Sequence, residues 1–189
     1  MSGAIRRSGH GLLGAYRRKA FHYIPPHVRQ QATPVDAVPD PAFRGAAPWL
    51  VADTQVALDW LVFRNAAARP LLDAVLAGQL RWLATAAMRA ELEHMLRHPT
   101  LAPWGHDAEH ALTFFDEQTT LRPEPTPIPA SRLICSDPDD QVFIDTALVH
   151  HAAWLVSRDR ALLSLRRKAL GHGLRIVRPD EWRGTDRAE

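Results

Sequence analysis

The sequence predicts an α/β fold: a central, mainly parallel sheet of four to five strands, covered by helices on both faces in a three-layer α/β/α arrangement. Short apolar runs suited to buried strands recur along the body of the chain: WLVAD at 49–53, LRWLAT at 80–85, AWLVS at 153–157 and GLRIVRP at 173–179. Segments of helical period stand between them. Strands that alternate with helices pair in parallel, because each crossover returns the chain to the same edge of the sheet.

Each element has its own justification. WLVAD is apolar until its final acid, as expected of a strand buried on both faces. Helical patterns follow at 55–63 and, from Pro70, at 70–78, where Gly78 supplies a stop. LRWLAT leads into AAMRAELEHMLR (86–97), where Ala87, Ala90, Leu92 and Met95/Leu96 fall near helical spacing. A helix at about 107–118 runs into the proline-rich loop PEPTPIP (123–129). The stretch LICSDPDDQVFIDTAL (133–148) opens apolar, gathers acids and continues as a helix that starts about Asp140. A helix over Arg160–Leu170 ends at Gly171, and the last strand is stopped by Pro179. No internal repeat is present.

The chain divides by composition into a basic extension (1–48), the α/β body (49–183) and a short tail (184–189). Residues 1–48 carry Arg6, Arg7, Arg17, Arg18, Lys19, Arg29 and Arg44 against Asp36 and Asp40, a net charge of +5 within a total of +2. The body is therefore slightly acidic, at −3. IPPHV and ATPVDAVPDPAF resist both helix and sheet, so the extension is expected to be largely extended or disordered, with at most a short helix around Leu12–Phe21. It reads either as an arm for nucleic acid or an acidic partner, or as an overcalled translation start. The single cysteine, Cys135, permits no internal disulfide and fits a reducing compartment. No apolar run approaches the roughly 18 residues of a membrane span, and the N-terminus has no signal-peptide core. The expected address is cytoplasmic, without a membrane.

The functional signal is acidic. Asp53 ends the first strand, Asp159 follows the third strand of the list above, Asp140 opens a helix and Glu91 lies on the helix after 80–85. Ligands of open α/β sheets bind beyond the carboxyl ends of the strands, so these four carboxylates are placed to converge on one edge. Two carboxylates about 4 Å apart repel by roughly 4 kcal/mol at an effective dielectric near 20. Such a cluster must protonate, separate or bind a cation, and a hard ion held by oxygen, Mg²⁺ or Mn²⁺, is the simplest resolution. Asp137 and Asp139 read instead as helix N-terminal caps. Asp145 either faces solvent or supports the site from behind. Asp53 and Asp159 are expected to owe nothing to capping.

Rival motifs fail on spacing. An EF-hand loop lacks its glycine near Val142 and its glutamate near Leu148. Asp137-x-Asp139 resembles the paired aspartates of haloacid-dehalogenase-like phosphatases, but too little chain follows it. His94/His98 and His106/His110 enclose no glutamate of a zinc-protease motif, and Glu91-x-x-His94 has no second copy to make a di-iron site. These histidines read as surface residues, and Cys135 as a small buried one.

Strand-Asp53-Thr54, helical Ala90-Glu91-Leu92, Asp140-x-x-Phe143-Ile144-x-x-Ala147-Leu148 and Leu155-Val156-Ser157-x-Asp159 together resemble the PIN domain, in the branch associated with toxins of toxin–antitoxin pairs (VapC-like ribonucleases). The likeness spans about Trp49–Trp182. It implies a catalytic and metal-binding quartet of Asp53, Glu91, Asp140 and Asp159, supported by Thr54, Asp145 and Ser157. It implies cleavage of RNA with Mg²⁺ or Mn²⁺ to 5′-phosphate and 3′-hydroxyl ends, a small antitoxin as partner, and a possible homodimer. Gln55 replaces a common Asn, and Ala161 replaces a further acid. A catalytically weak PIN-like module that binds RNA or a partner is the second function to consider, and a Mg²⁺-dependent phosphatase of another α/β fold the third.

Overall fold

The computed structural model describes residues 46–126 and 133–184. Most of the expected extension, the end of the proline-rich loop and nearly all of the tail lie outside the described residues. Five strands form one sheet: β1 (Trp49–Ala52), β2 (Arg81–Thr85), β3 (Thr119–Arg122), β4 (Trp154–Val156) and β5 (Arg175–Val177), in the order β3-β2-β1-β4-β5. Every neighbouring pair is parallel. The chain steps outward from β1 to β2 to β3, then crosses to the other side for β4 and β5. Right-handed crossovers therefore put the helices of the first half on one face and those of the second half on the other.

On the first face lie α1 (Thr54–Leu61), α2 (Arg69–Leu76), α3 (Ala86–Leu96) and α4 (Ala108–Gln118). The opposite face carries α5 (Gln141–Val149), α6 (Arg160–Ser164) and α7 (Arg166–Leu170). The middle strand β1 is buried along its whole length, which is why its sequence is a continuous apolar run rather than an alternation. Gly78 ends the α2 region with φ +69, a left-handed conformation that favours glycine.

Three sequence expectations change. The strand β3 lies between the helix expected at about 107–118 and the loop expected at 123–129, where no strand is expected. It is an edge strand of sequence TTLR with mostly exposed side chains, so no apolar pattern marks it. The helix expected over Arg160–Leu170 is two segments that meet at Leu165. On α3 the buried stripe is Met88, Leu92 and Leu96, at i, i+4 and i+8, while Ala87 and Ala90 are exposed.

Candidate active site

The last rungs of the sheet hold the site. Beyond β1, the Asp53 N–H donates to the Val156 carbonyl (3.1 Å), and beyond β4 the Ser157 N–H donates to the Val177 carbonyl (3.0 Å). Both residues thus have their backbones fixed by the ladder at its carboxyl edge, before the chain turns into a helix.

Side chains then join them. The Ser157 hydroxyl donates to Asp53 Oδ2 and accepts from the Asp159 N–H (2.9 Å). Asp53 Oδ1 accepts from the Val56 N–H (2.8 Å), and Asp159 Oδ1 accepts from the Ala161 N–H (2.7 Å). The two strand-end acids therefore do cap helices, contrary to expectation. The reason is geometric: in a parallel sheet each crossover helix starts where its strand ends, so an acid at that corner meets unpaired helix N–H groups. Asp53 has 0% exposure and Ser157 is equally buried, and a carboxylate so buried requires such donors.

Asp140 is placed differently. It is 1% exposed, sits between a 3₁₀ turn (Pro138–Asp140) and α5, and makes no side-chain cap bond to α5. Asp137 caps the 3₁₀ turn, its Oδ1 accepting from the Asp139 N–H (3.1 Å). Burial pushes the Cys135 thiol above its usual range; a backbone hydrogen bond at Asp137 opposes the shift, and the charges of Asp140, Asp137 and Asp159 reinforce it. Those three carboxylates therefore all act on the one thiol.

The remaining expected residues are Thr54, Glu91 and Asp145. Thr54 is buried in the first turn of α1. Glu91 is half-buried on α3, the helix that leaves β2 through Thr85, whose Oγ1 accepts from the Met88 N–H (3.3 Å). Asp145 is buried rather than solvent-facing, and its Oδ1 accepts from Gln141 Nε2 (2.8 Å). The same Gln141 amide holds the approach to the site, taking the Cys135 N–H on Oε1 (2.8 Å) and donating Nε2–H to the Leu133 carbonyl (2.9 Å). Gln55 and Ala161, the departures from the family pattern, are both half-buried. His106 bonds the Leu96 carbonyl (2.7 Å), and His94 and His110 are exposed.

Sequence reasoning missed Asp59 and Arg158. Asp59 is a buried acid within the apolar α1, and its Oδ2 accepts from Arg158 Nε (2.7 Å). A lone acid among Val56, Ala57, Leu58 and Trp60 was the available signal. Among the described residues, no three His, Cys, Asp or Glu side chains are grouped so as to hold a metal ion between them.

Ser157→Ala removes one donor from Asp53 in a buried setting and one acceptor from the half-buried Asp159 amide. The expected loss of stability is about 1–3 kcal/mol, measurable as a lower urea midpoint at unchanged slope. An unchanged midpoint would mean that the hydroxyl is not the link described.

No helix among the described residues is long and apolar enough to cross a membrane. A comparison with curated proteins gives no match. Among solved structures, the chain is similar to a chain of VapBC2 from Rickettsia felis, in a crystal structure with a DNA fragment from their promoter. That similarity is 13% identity at a TM-score of 0.48, over 69% of this chain and 98% of the other. The PIN domain family model matches residues 50–161, more than half of the 189 residues. That span runs from β1, through the corner acid Asp53, α3 and Asp140, to Asp159 at the head of α6, and the chain belongs to the PIN domain family, a family of nucleases.

Proposed function

We propose that the protein is a metal-dependent endoribonuclease that hydrolyses RNA phosphodiester bonds, and that it is the toxin of a toxin–antitoxin pair restrained by a small antitoxin. The observation that carries this reading is the hydrogen-bonded unit Asp53–Ser157–Asp159 at the carboxyl edge of the sheet. Family membership supports nuclease chemistry. The RNA substrate, the ion and the antitoxin follow from the resemblance to the toxin branch.

The donor set suits a hard divalent cation, since it consists of carboxylate oxygens. The lack of a three-ligand group among the described residues does not conflict with Mg²⁺ or Mn²⁺. Mg²⁺ sites in nucleotide-handling proteins commonly use one or two carboxylates, with water and substrate phosphate completing the shell. One or two of the carboxylates Asp53, Glu91, Asp140 and Asp159 would hold the ion, with water and substrate phosphate supplying the rest of its shell. When bound, such an ion lowers the pKa of a water and stabilises negative charge on the phosphorus centre.

The chain's own residues orient. Ser157 fixes Asp53 Oδ2, while the α1 N-terminus fixes Oδ1. The Gln141 bonds fix the segment that leads to Asp140. No protein nucleophile is required, and the buried, shifted-up thiol of Cys135 is unsuited to be one.

Metal should stabilise the fold, because an ion that binds the folded carboxylates and not the unfolded chain shifts the equilibrium toward the native state. At a free ion concentration about 100 times Kd the gain is about 2.7 kcal/mol, or a rise of roughly 5–10 °C in Tm at ~2–4 °C per kcal/mol. Thermal melts in EDTA, Mg²⁺ and Mn²⁺ check this alongside cleavage of single-stranded RNA. A flat Tm together with intact RNA in all three conditions would favour the alternative, a PIN-like module that binds RNA or a partner without cutting. Ala161, at a position where relatives carry another acid, is the observation on that side.

A further inference from the structure

We infer that the part-buried ion pair between Asp59 and Arg158 is a positioning device for the candidate site, which aims the Asp159 carboxylate by locking the Ser157–Asp159 loop onto α1. Its activity readout rests on the nuclease reading above; its structural readout does not.

Asp59 has both carboxylate oxygens engaged. Oδ2 accepts from Arg158 Nε (2.7 Å), and Oδ1 accepts from Asn65 Nδ2 (3.0 Å). Asn65 is itself held, its N–H donating to the Asp59 carbonyl (2.9 Å) and its Oδ1 accepting from the Ala67 N–H (3.0 Å). To return Asn65 onto α1, the chain passes through Arg64 at φ +48, a left-handed conformation uncommon for a residue with a side chain. Asp59 is thus a rigid acceptor, fixed from one side by the turn after α1 and offered on the other to the loop after β4.

The loop grips α1 at two points through adjacent residues. Ser157 bonds Asp53 at the N-cap of α1, and Arg158 bonds Asp59 six residues further along. One attachment would leave the loop free to pivot about it, whereas two fix its orientation. The next residue is Asp159, whose amide completes the set on Ser157 Oγ. Asp180 also lies in the field of Arg158, and it is engaged by Arg178 Nε (3.1 Å).

A purely structural role explains this poorly. Well-packed apolar residues often serve a largely buried contact as well as an ion pair does, and the neighbours Val56, Ala57, Leu58 and Trp60 on α1 are buried apolar residues of that kind. What an ion pair adds is direction, which an acid that must meet a reacting phosphate needs.

The test uses the full chain and the variants Asp59→Asn, Arg158→Gln and Arg158→Lys. Hydrogen exchange of the Asp159 and Ala161 amides reads the loop directly, since both N–H groups donate within it. Exchange there should accelerate in Asp59→Asn and Arg158→Gln. RNA cleavage titrated with Mn²⁺ should show the half-saturating concentration raised and kcat lowered, each by about 10–100-fold, with Arg158→Lys recovering part of what Arg158→Gln loses. Should Asp59→Asn fail to fold, the Lys and Gln variants at 158 still decide the matter. Wild-type exchange rates at both amides, or wild-type Mn²⁺ dependence in folded Arg158→Gln, would overturn the inference. So would an activity loss that merely tracks the folded fraction, with Lys no better than Gln. If the wild-type chain cuts no RNA, the nuclease reading falls, and exchange alone decides whether the pair orders the loop.

Discussion

Asp140→Asn should abolish most RNA cleavage while leaving the protein folded. The substitution keeps shape and hydrogen-bonding capacity but removes a negative charge from a position 1% exposed to solvent. If that charge helps to hold a divalent ion, its loss removes several kcal/mol of charge stabilisation, a fall in rate of about 10²–10³-fold or more. Metal-free stability should be unchanged or slightly raised, because a buried acid in the same turn as Asp137 and Asp139 loses its charge. Asp137→Asn is the control. Its carboxylate caps a 3₁₀ turn through the Asp139 N–H, and Asn caps about as well as Asp, so activity and stability should both stay near wild type. Asp145→Asn should fall between them, since Asp145 Oδ1 accepts from Gln141, which holds the segment leading to Asp140. The assay is cleavage of single-stranded RNA in Mn²⁺ across the three variants with parallel melts. Equal rates for wild type and Asp140→Asn would reduce the aspartate run to a cap and a buried structural charge.

The sequence disclosed the parts of this molecule whose cause is local. β1, β2 and β4 are apolar because parallel strands in the middle of a sheet are covered on both faces, and the helix between each pair of strands shows its own period. β3 escaped because an edge strand with exposed side chains is specified by the backbone of β2 beside it, a partner that no window of the sequence around 119–122 contains. The break at Leu165 left no trace either, as Arg160–Leu170 contains no glycine or proline. At the site, residue types at strand ends pointed to Asp53 and Asp159, but their contacts are long-range. Ser157 and Asp53 are 104 residues apart, and Arg158 and Asp59 are 99 apart. Spacing arguments reach three or four positions along a helix, so a lone acid in an apolar helix could be noticed and still not be paired. The expectation that Asp53 and Asp159 owe nothing to capping failed for a related reason, since it treated the strand end and the helix start as separate places.

Trp82→Ala should have the opposite profile to Asp140→Asn, with a large loss of stability and little change in chemistry per folded molecule. Trp82 lies on β2 at 2% exposure. It takes edge contacts from Trp60 of α1 at 4.8 Å and 88°, and from Phe115 of α4 at 5.0 Å and 79°. Both helices lie on the first face, so a single ring fastens two of them to the sheet. Truncation to alanine discards that area and leaves a cavity that Trp60 cannot simply fill, because its indole N–H is bonded to the Ala68 carbonyl (2.8 Å). The expected cost is about 3–5 kcal/mol, a large share of the roughly 5–15 kcal/mol that holds a typical domain together. Trp82→Phe keeps an aromatic face for both neighbours and should lose only about 1–2 kcal/mol. Urea unfolding followed through the remaining tryptophans gives the midpoints. Within β2, Trp82 pairs with Leu50 and Thr119, at the end of the sheet away from Asp53. At a temperature where the alanine variant is still mostly folded, cleavage corrected for the folded fraction should match wild type. A loss of cleavage beyond that correction would mean that the face packing of α1 reaches the corner where Asp53 and Ser157 meet, and that stability and catalysis are coupled through this helix.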